Sequence, residues 1–457
     1  MKQNHCDILD LEWNSNGRDA HIAEPVLVSL EERYGYRIVR SSIWSALFKL
    51  LWFRPRILVI ANDIGAENIC RAFHFANRLG IITVTMISEG NIRRGKNEEQ
   101  ERMLAEQFFW GDNFKREKYW DLKLLWSNEL LNAFKKWIPW KYLDSVRVCG
   151  ATGFDRYKLF NEDVEELRDR FGIKTDYVVL ISGYGFDLLH RLIQEGNDPH
   201  GECAKIYAQK EAVRKIYKKL IEDNPSVTFI IKRHPGTLDK EDQELSGLET
   251  YPNTMVLQYE ADISQLLRMA DIVLCFDSTV AMEAWMLGKI SVFVNPLGTD
   301  FDRSDFYKGA VVIENYSQLA RVFDQYYERR RVSEFDALEN KRQTIIEKKI
   351  LAADGLNYLR SAKEINNYIR NHSDKKASVD RKLVIEMIKE LAYEACVFLI
   401  EKTSLGYLKP QNREFYQKRS RLYDKKEREK VTERYRSAIA EYEEQHPNAT
   451  MAVLANS

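Results

Sequence analysis

Between Phe229 and Pro296 three short runs follow one another, two of them wholly apolar and the third interrupted only by Ser291. Phe229-Ile230-Ile231 passes straight into Lys232-Arg233-His234-Pro235-Gly236. Ile272 to Phe276 passes into Asp277-Ser278-Thr279 and a segment through Glu283 that starts like a helix and is closed by Gly288. Ile290 to Val294 ends at Asn295-Pro296. Apolar runs of this length, without polar alternation, predict strands buried on both faces of a parallel sheet. In an open parallel sheet ligands bind beyond the carboxyl ends of the strands. Free N–H groups at a helix start favour an anion. One basic tip and one hydroxylic tip therefore read as a cradle for a phosphate group.

The N-terminal half has the same rhythm. Strands are expected at Cys6–Trp13, Arg37–Arg40, Ile57–Ile60 and Ile81–Ile87, with helices at Glu24–Glu32, Ser42–Phe53 and Ala66–Leu79. Strand, helix and strand in turn make βαβ units. Further helices are expected at Glu98–Phe109 and Trp126–Trp140, with a strand at Val146–Val148. The expected fold class is α/β, with a first domain over 1–157 and a second over 175–345. A late helix in 346–372 is the candidate to cross back to the first domain, and 373–457 forms a helical extension.

At 457 residues, two domains plus an extension is the natural expectation. Sixty-nine basic and sixty-nine acidic residues cancel, so the chain as a whole carries no charge that would favour nucleic acid. Six scattered cysteines without a CxxC pair point to reduced thiols in a cytosolic protein. The stretch from Met1 to Cys6 lacks the apolar segment of a secretory signal. Ile43 to Phe53, the most apolar early run, is too short to span a bilayer.

Candidate site residues gather where strands end. Ser88-Glu89-Gly90-Asn91-Ile92-Arg93-Arg94 places a carboxylate at a strand terminus with cations close by. Glu89 is suited to act as a general base; the alternative is a charged, solvated loop. Gly183-Tyr184-Gly185 after Tyr177–Ser182 would let a ligand approach the backbone, or be only a tight turn. His234 can donate a hydrogen bond to a phosphate oxygen, or be structural. Ser278 and Thr279 offer hydroxyls, or simple helix capping. Glu283, one turn after Thr279, is placed for vicinal hydroxyls such as those of ribose. Asp300 and Asp302 form an Asp-x-Asp, but the loop context favours no metal; His190, His200 and Cys203 fit no zinc spacing.

The combination of Ser88-Glu89-Gly90, His234-Pro235 and Ser278-Thr279 with Glu283 resembles bacterial surface-carbohydrate glycosyltransferases of the GT-B fold, with the capsule Kdo transferases the nearest likeness. The resemblance implies two Rossmann-like domains facing a central cleft, a metal-independent glycosyltransferase and no cofactor. It implies a nucleotide-sugar donor, most plausibly CMP-linked, and a glycan or lipid-linked glycan acceptor. It implies that His234, Ser278 and Thr279 hold the nucleotide's phosphate, Glu283 the ribose, and Glu89 the acceptor hydroxyl, with Glu89 and His234 the catalytic pair; Lys232, Arg233, Pro235 and Gly183 join them as candidate donor-binding residues. The capsule enzymes carry two acids before the glycine, whereas this chain has Ser88 and Glu89. The HP and Ser motifs are also shared with the polyol-phosphate transferases of teichoic acid synthesis.

In the extension, Leu383–Ile400 and Arg413–Tyr442 are expected as helices and the last dozen residues as disordered. Lys375 to Arg436 holds seventeen basic and ten acidic residues. This excess suits peripheral contact with an anionic membrane surface or a lipid-linked acceptor. The alternative is a solvated helical hairpin packed on the core or on another subunit.

Overall fold

A computed structural model describes residues 5–63, 67–90, 97–111, 118–196, 198, 201–233, 245–257, 261–298, 305–372, 375–402 and 422–455. His234, Pro235, Arg93, Arg94, His200, Asp300 and Asp302 lie outside the described residues. The chain divides into two compact units. The first comprises Met1–Ile92, Asn97–Phe160 and Lys348–Ser457, the second Arg93–Lys96 and Asn161–Glu347.

The first unit holds a six-stranded parallel sheet, with β1 Ile8–Glu12, β2 Ile38–Ser42, β3 Ile57–Ile60, β4 Ile82–Met86, β5 Leu122–Leu125 and β6 Val146–Val148. The order is β2-β1-β3-β4-β5-β6. Helices α1 Arg18–Tyr34, α2 Ala46–Phe53, α3 Glu67–Arg78, α4 Glu98–Trp110 and α5 Asn128–Trp137 connect the strands. Successive strand residues serve opposite faces, as the pleat requires. Ile8, Ile57 and Val59 pack with α1, whereas Leu9, Leu11, Leu58 and Ile60 pack with α2 and α3. Strand β5 was not expected from sequence, because Lys123 interrupts its apolar run. The Lys123 ammonium is fully buried, 2.5 Å from Asp63 Oδ2 and 3.1 Å from the Phe109 carbonyl. Its own burial pushes the ammonium down from its usual range, against the pull of Asp63.

Helix α1 begins six residues earlier than the expected Glu24 and runs through Pro25. Proline has no N–H to give the carbonyl four residues back. That carbonyl, of His21, accepts instead from the Tyr435 hydroxyl at 3.3 Å.

The second unit repeats the architecture after the short helices α6 Arg156–Leu159 and α7 Val164–Phe171. Its strands are β7 Tyr177–Ser182, β8 Val227–Lys232, β9 Thr254–Leu257, β10 Ile272–Cys275, β11 Ile290–Val294 and β12 Val311–Ile313. Between them run α8 Phe186–Gln194, α9 Glu202–Tyr207, α10 Lys210–Asp223, α11 Ile263–Met269 and α12 Val280–Met286. Helices α13 Tyr316–Arg329, α14 Ser333–Asp336 and α15 Glu339–Ile350 follow. All pairings are parallel, and the order is β12-β11-β10-β7-β8-β9. From the β9 edge, and counting from the first strand of this unit, the order is 3-2-1-4-5-6, that of a doubly wound Rossmann sheet.

The chain then returns to the first unit. In α16 Asn357–Asn371, the Asn357 amide and the Tyr358 N–H both donate to the buried Asp155 carboxyl, at 2.9 and 2.7 Å. Helix α17 Arg381–Lys402 packs beside α2, and α18 Lys425–Gln445 beside α1. The final residues are not disordered: α19 spans Pro447–Ala455. Proline suits a first helical turn, and Lys363 Nζ caps the other end by donating to the Val453 and Leu454 carbonyls at 3.2 and 2.6 Å.

Candidate functional site

The sheet order decides where a ligand site belongs in the second unit. Strands β7 and β10 are neighbours, and their connections leave in opposite directions, β7 toward β8 and β10 toward β11. That reversal is a topological switch point, the place where open α/β sheets bind ligands. Gly183-Tyr184-Gly185 lies at the end of β7, and Asp277-Ser278-Thr279 follows β10. On the other side of β7 lies β8, which ends in Lys232 in register with Ser182. Gly183 therefore follows a strand that has the strand with the basic tip on one side and the strand leading to the hydroxylic tip on the other.

Specific contacts hold these tips. The Gly183 N–H donates to the Lys232 carbonyl at 2.8 Å, closing the β7 loop onto β8. The Arg233 N–H donates to the Leu257 carbonyl at 3.0 Å, and Lys232 Nζ to the Ala261 carbonyl at 3.2 Å. The Tyr184 ring meets Phe276 edge-on with centroids 5.0 Å apart, and Phe186 lies 4.9 Å from the same ring. This aromatic floor ties the Gly183 loop to the end of β10.

Ser278 Oγ accepts from the Val280 N–H at 3.3 Å. Thr279 is the residue before α12, with backbone already helical, and its hydroxyl makes no capping hydrogen bond. Capping therefore does not account for a hydroxyl at 279. Helix α12 has only seven residues, so the hydroxyls and Lys232 matter more here than the helix dipole. Asp277 and Glu283 are both buried.

Glu89 occupies a different setting, in the first unit. Its side chain is 65% exposed and held by Arg18, with Nη1 to Oε1 at 2.6 Å. Arg18 Nη2 also donates to Ser88 Oγ at 3.4 Å. Gly90 is required by space: a Cβ there would lie 2.4 Å from the Trp126 ring, whose Nε1 donates to the Ile87 carbonyl at 2.5 Å.

Sequence reading missed the charged core at the carboxyl end of the first sheet. Asp10 and Glu12, on the α1 side of β1, are fully buried. Arg428 of α18 donates to Asp10 Oδ2 at 3.0 Å and lies 2.7 Å from Glu24 Oε2. Arg40 Nε approaches the same Glu24 from the other side at 2.8 Å. Burial pushes the Asp10 carboxyl up to about 6 despite Arg428. Burial, with Asp10 and Asp19 adding repulsion, raises Glu12 well above its usual range. The available signal was two acids inside a run otherwise apolar enough for a buried strand. Their partner lies 418 residues away.

Among the described residues no group of three His, Cys, Asp or Glu side chains could hold a metal ion. His190 instead stacks on Tyr207 at 4.7 Å, and Cys203 N–H donates to Asp198.

No protein-family model matches the chain, and no curated protein sequence matches it. Solved structures do. A wall teichoic acid polymerase, TagF, superposes with a TM-score of 0.53 at 11% identity, over 82% of this chain and 92% of that one. The UDP-GlcNAc 2-epimerase of Neisseria meningitidis, bound to UDP-GlcNAc, gives 0.51 at 15% identity, over 79% of this chain and 99% of the other. S. aureus MnaA with UDP gives 0.51 at 11% identity, over 82% and 100%. None of the three is a Kdo transferase. At such identities the likeness is one of fold, and the fold is α/β of the GT-B type.

Proposed function

We propose that the protein is a glycosyltransferase that transfers a sugar from a nucleotide-activated donor to a surface-glycan acceptor. What supports this reading is the switch point between β7 and β10, with Lys232 ending the strand on one side of β7 and Ser278 and Thr279 following the strand on the other. Lys232 and Arg233 supply positive charge, Ser278 and Thr279 hydroxyl donors, and the Gly183 turn lets a phosphate approach the backbone. Preorganised donors of this kind stabilise a departing phosphate without a metal. His234 adds an imidazole donor and Pro235 fixes its loop. Buried Glu283 would accept hydrogen bonds from the ribose hydroxyls. The acceptor hydroxyl attacks the anomeric carbon, the sugar–phosphate bond breaks, and the nucleotide leaves as its phosphate anion. Glu89, oriented by Arg18, takes the hydroxyl proton.

The similarity to an epimerase bound to UDP-GlcNAc, to MnaA with UDP and to TagF, which has been studied with CDPG, supports a nucleotide ligand. A cytidine nucleotide is the first choice because of the motif resemblance to capsule enzymes. The TagF likeness favours a second reading, transfer of a polyol phosphate from a CDP-polyol, with the same residues holding the nucleotide phosphates.

Thermal unfolding with CMP, CDP, UDP and GDP tests both, because a ligand that binds only the folded state raises its apparent stability. CMP or CDP should raise the melting temperature, and the double variant Ser278→Ala/Thr279→Ala should lose that rise. A rise with UDP alone would remove the cytidine assignment, and no rise with any of the four would remove the transferase. His234→Ala should abolish transfer with the fold intact. Product analysis with a CMP-sugar and with a CDP-polyol then separates the two readings.

A further inference from the structure

Helix α17 is apolar on two sides: Leu383, Met387 and Leu391 pack on the core of the first unit and Val397 is buried, while a second set of apolar side chains is exposed. A helix on a soluble core turns its apolar stripe inward and its charges outward. Here three carboxylates at one-turn spacing, Glu386, Glu390 and Glu394, face the body of the first unit. Glu386 Oε2 lies 3.4 Å from His74 Nε2, and Glu390 Oε2 3.1 Å from Arg71 Nη1. The Glu394 carboxylate accepts from the Leu47 and Phe48 N–H groups at 3.0 Å each, capping the start of α2. The opposite side exposes Val384, Ile385, Ile388 and Leu399, and Phe398, one turn beyond Glu394, is exposed toward the end of the helix. Its exposed charges are Arg381, Lys382 and Lys389; Glu386, whose side chain is 39% exposed, lies at its margin 4.0 Å from Lys382.

Helix α2, tied to α17 through Glu394, extends the pattern. Phe48 and Trp52 stack on each other with centroids 5.8 Å apart. These two rings and the five α17 side chains are each 43% to 61% exposed. From Ile43 to Asn62 the sequence holds Lys49, Arg54 and Arg56 and no acid. Aromatic and aliphatic side chains interleaved with cations, with Glu390 and Glu394 withdrawn, complement a surface that is apolar beneath and negatively charged above.

We propose that the face shared by α2 and α17 docks on an anionic lipid bilayer. The helices lie in the interface and do not cross it; no helix among the described residues is long and apolar enough to span a membrane. Phe48, Trp52, Ile388 and Phe398 enter the boundary between headgroups and acyl chains, while Arg54, Arg56, Lys382 and Lys389 meet lipid phosphates. This inference stands apart from the nucleotide site, since every residue it uses belongs to the first unit.

Co-sedimentation of the full chain with vesicles tests it. Binding to phosphatidylcholine vesicles containing about a third phosphatidylglycerol should be strong, weaker at high salt, and at least tenfold weaker for pure phosphatidylcholine. Phe48→Glu/Trp52→Glu and, separately, Ile388→Glu/Phe398→Glu should each lower binding at least tenfold. Because these side chains are exposed, the melting temperature should stay at the wild-type value. Wild-type protein that remains in the supernatant with anionic vesicles overturns the proposal, as do variants that sediment like wild type. Light scattering supplies the remaining outcome: a wild-type dimer that the same substitutions convert to monomer would assign the face to a second copy of the chain.

Discussion

The carboxyl ends of the two parallel sheets are built from the same rhythm of strands and helices and filled in opposite ways. In the first unit the end of β1 carries two buried acids, Asp10 and Glu12, and the chain supplies its own counter-charge from α18 through Arg428. In the second unit the ends of β7, β8 and β10 carry glycine, lysine, the buried acid Asp277 and two hydroxyls. The chain neutralises the first end with an internal cation, whereas the second end is the one proposed above to receive an external anion. A sheet edge with free strand termini is thus only an opportunity; the charges placed there decide whether it becomes core or site.

The largest test of this contrast is Arg428→Ala. Removing one partner of a buried, hydrogen-bonded charge cluster leaves Asp10 without its hydrogen-bonded cation and Glu24 with Arg40 alone, at a cost of about 3–5 kcal/mol. Chemical denaturation should show that loss, and a loss under about 1 kcal/mol would mean that the cluster is not what holds α18.

The next effect is that of pH. The five described carboxyls held above their usual range, Asp10, Glu12, Asp19, Asp155 and Glu394, all belong to the first unit. Burial lifts Asp10 from 3.8 to about 6 and Asp155 from 3.8 to about 8. A carboxyl whose folded value exceeds its unfolded value binds more protons when folded. Its contribution to stability therefore falls as pH rises from about 4 to about 8. Hydrogen exchange across that range should show protection in the first unit declining with pH relative to the second. Equal pH dependence in both units would break the comparison.

Lys232→Ala probes the other end. A hydrogen bond to a charged group contributes about 1.5–3 kcal/mol, so nucleotide affinity should fall roughly tenfold to a hundredfold. Thermal stability without ligand should fall far less than in Arg428→Ala. Isothermal titration measures the first and denaturation the second; unchanged affinity would remove Lys232 from the phosphate site.

The smallest effect is expected at Arg18→Ala. It breaks an exposed pair with Glu89, and such pairs contribute about 0–1 kcal/mol. If Glu89 is the base that Arg18 orients, turnover should fall while stability stays nearly constant. A variant with wild-type turnover would place the base elsewhere.

Much of this was legible locally. The apolar runs at Ile57–Ile60, Ile272–Cys275 and Ile290–Val294 announce buried strands because period and composition are local properties. Others escaped for physical reasons. Strand β5 carries a lysine at its centre that only Asp63 and the Phe109 carbonyl make tolerable. Strand β9 is four residues long and half-buried, too short and too mixed for a pattern. In the candidate site the residue types could be read along the chain, but the reason they belong together could not. Gly183 matters because it lies between two strands that sequence places about fifty and ninety residues away.

The alternation of strands and helices, the division into two α/β halves and the polar chemistry at the strand tips could be read along the chain. These depend on local periodicity and on the residues that start and stop elements. The strand order came from the folded chain alone, and with it the switch point between β7 and β10, the burial of Asp10 against Arg428, and the exposure of a second apolar set on α17. Each of those depends on pairings across hundreds of residues, where burial and counter-charge rather than local propensity select the partner.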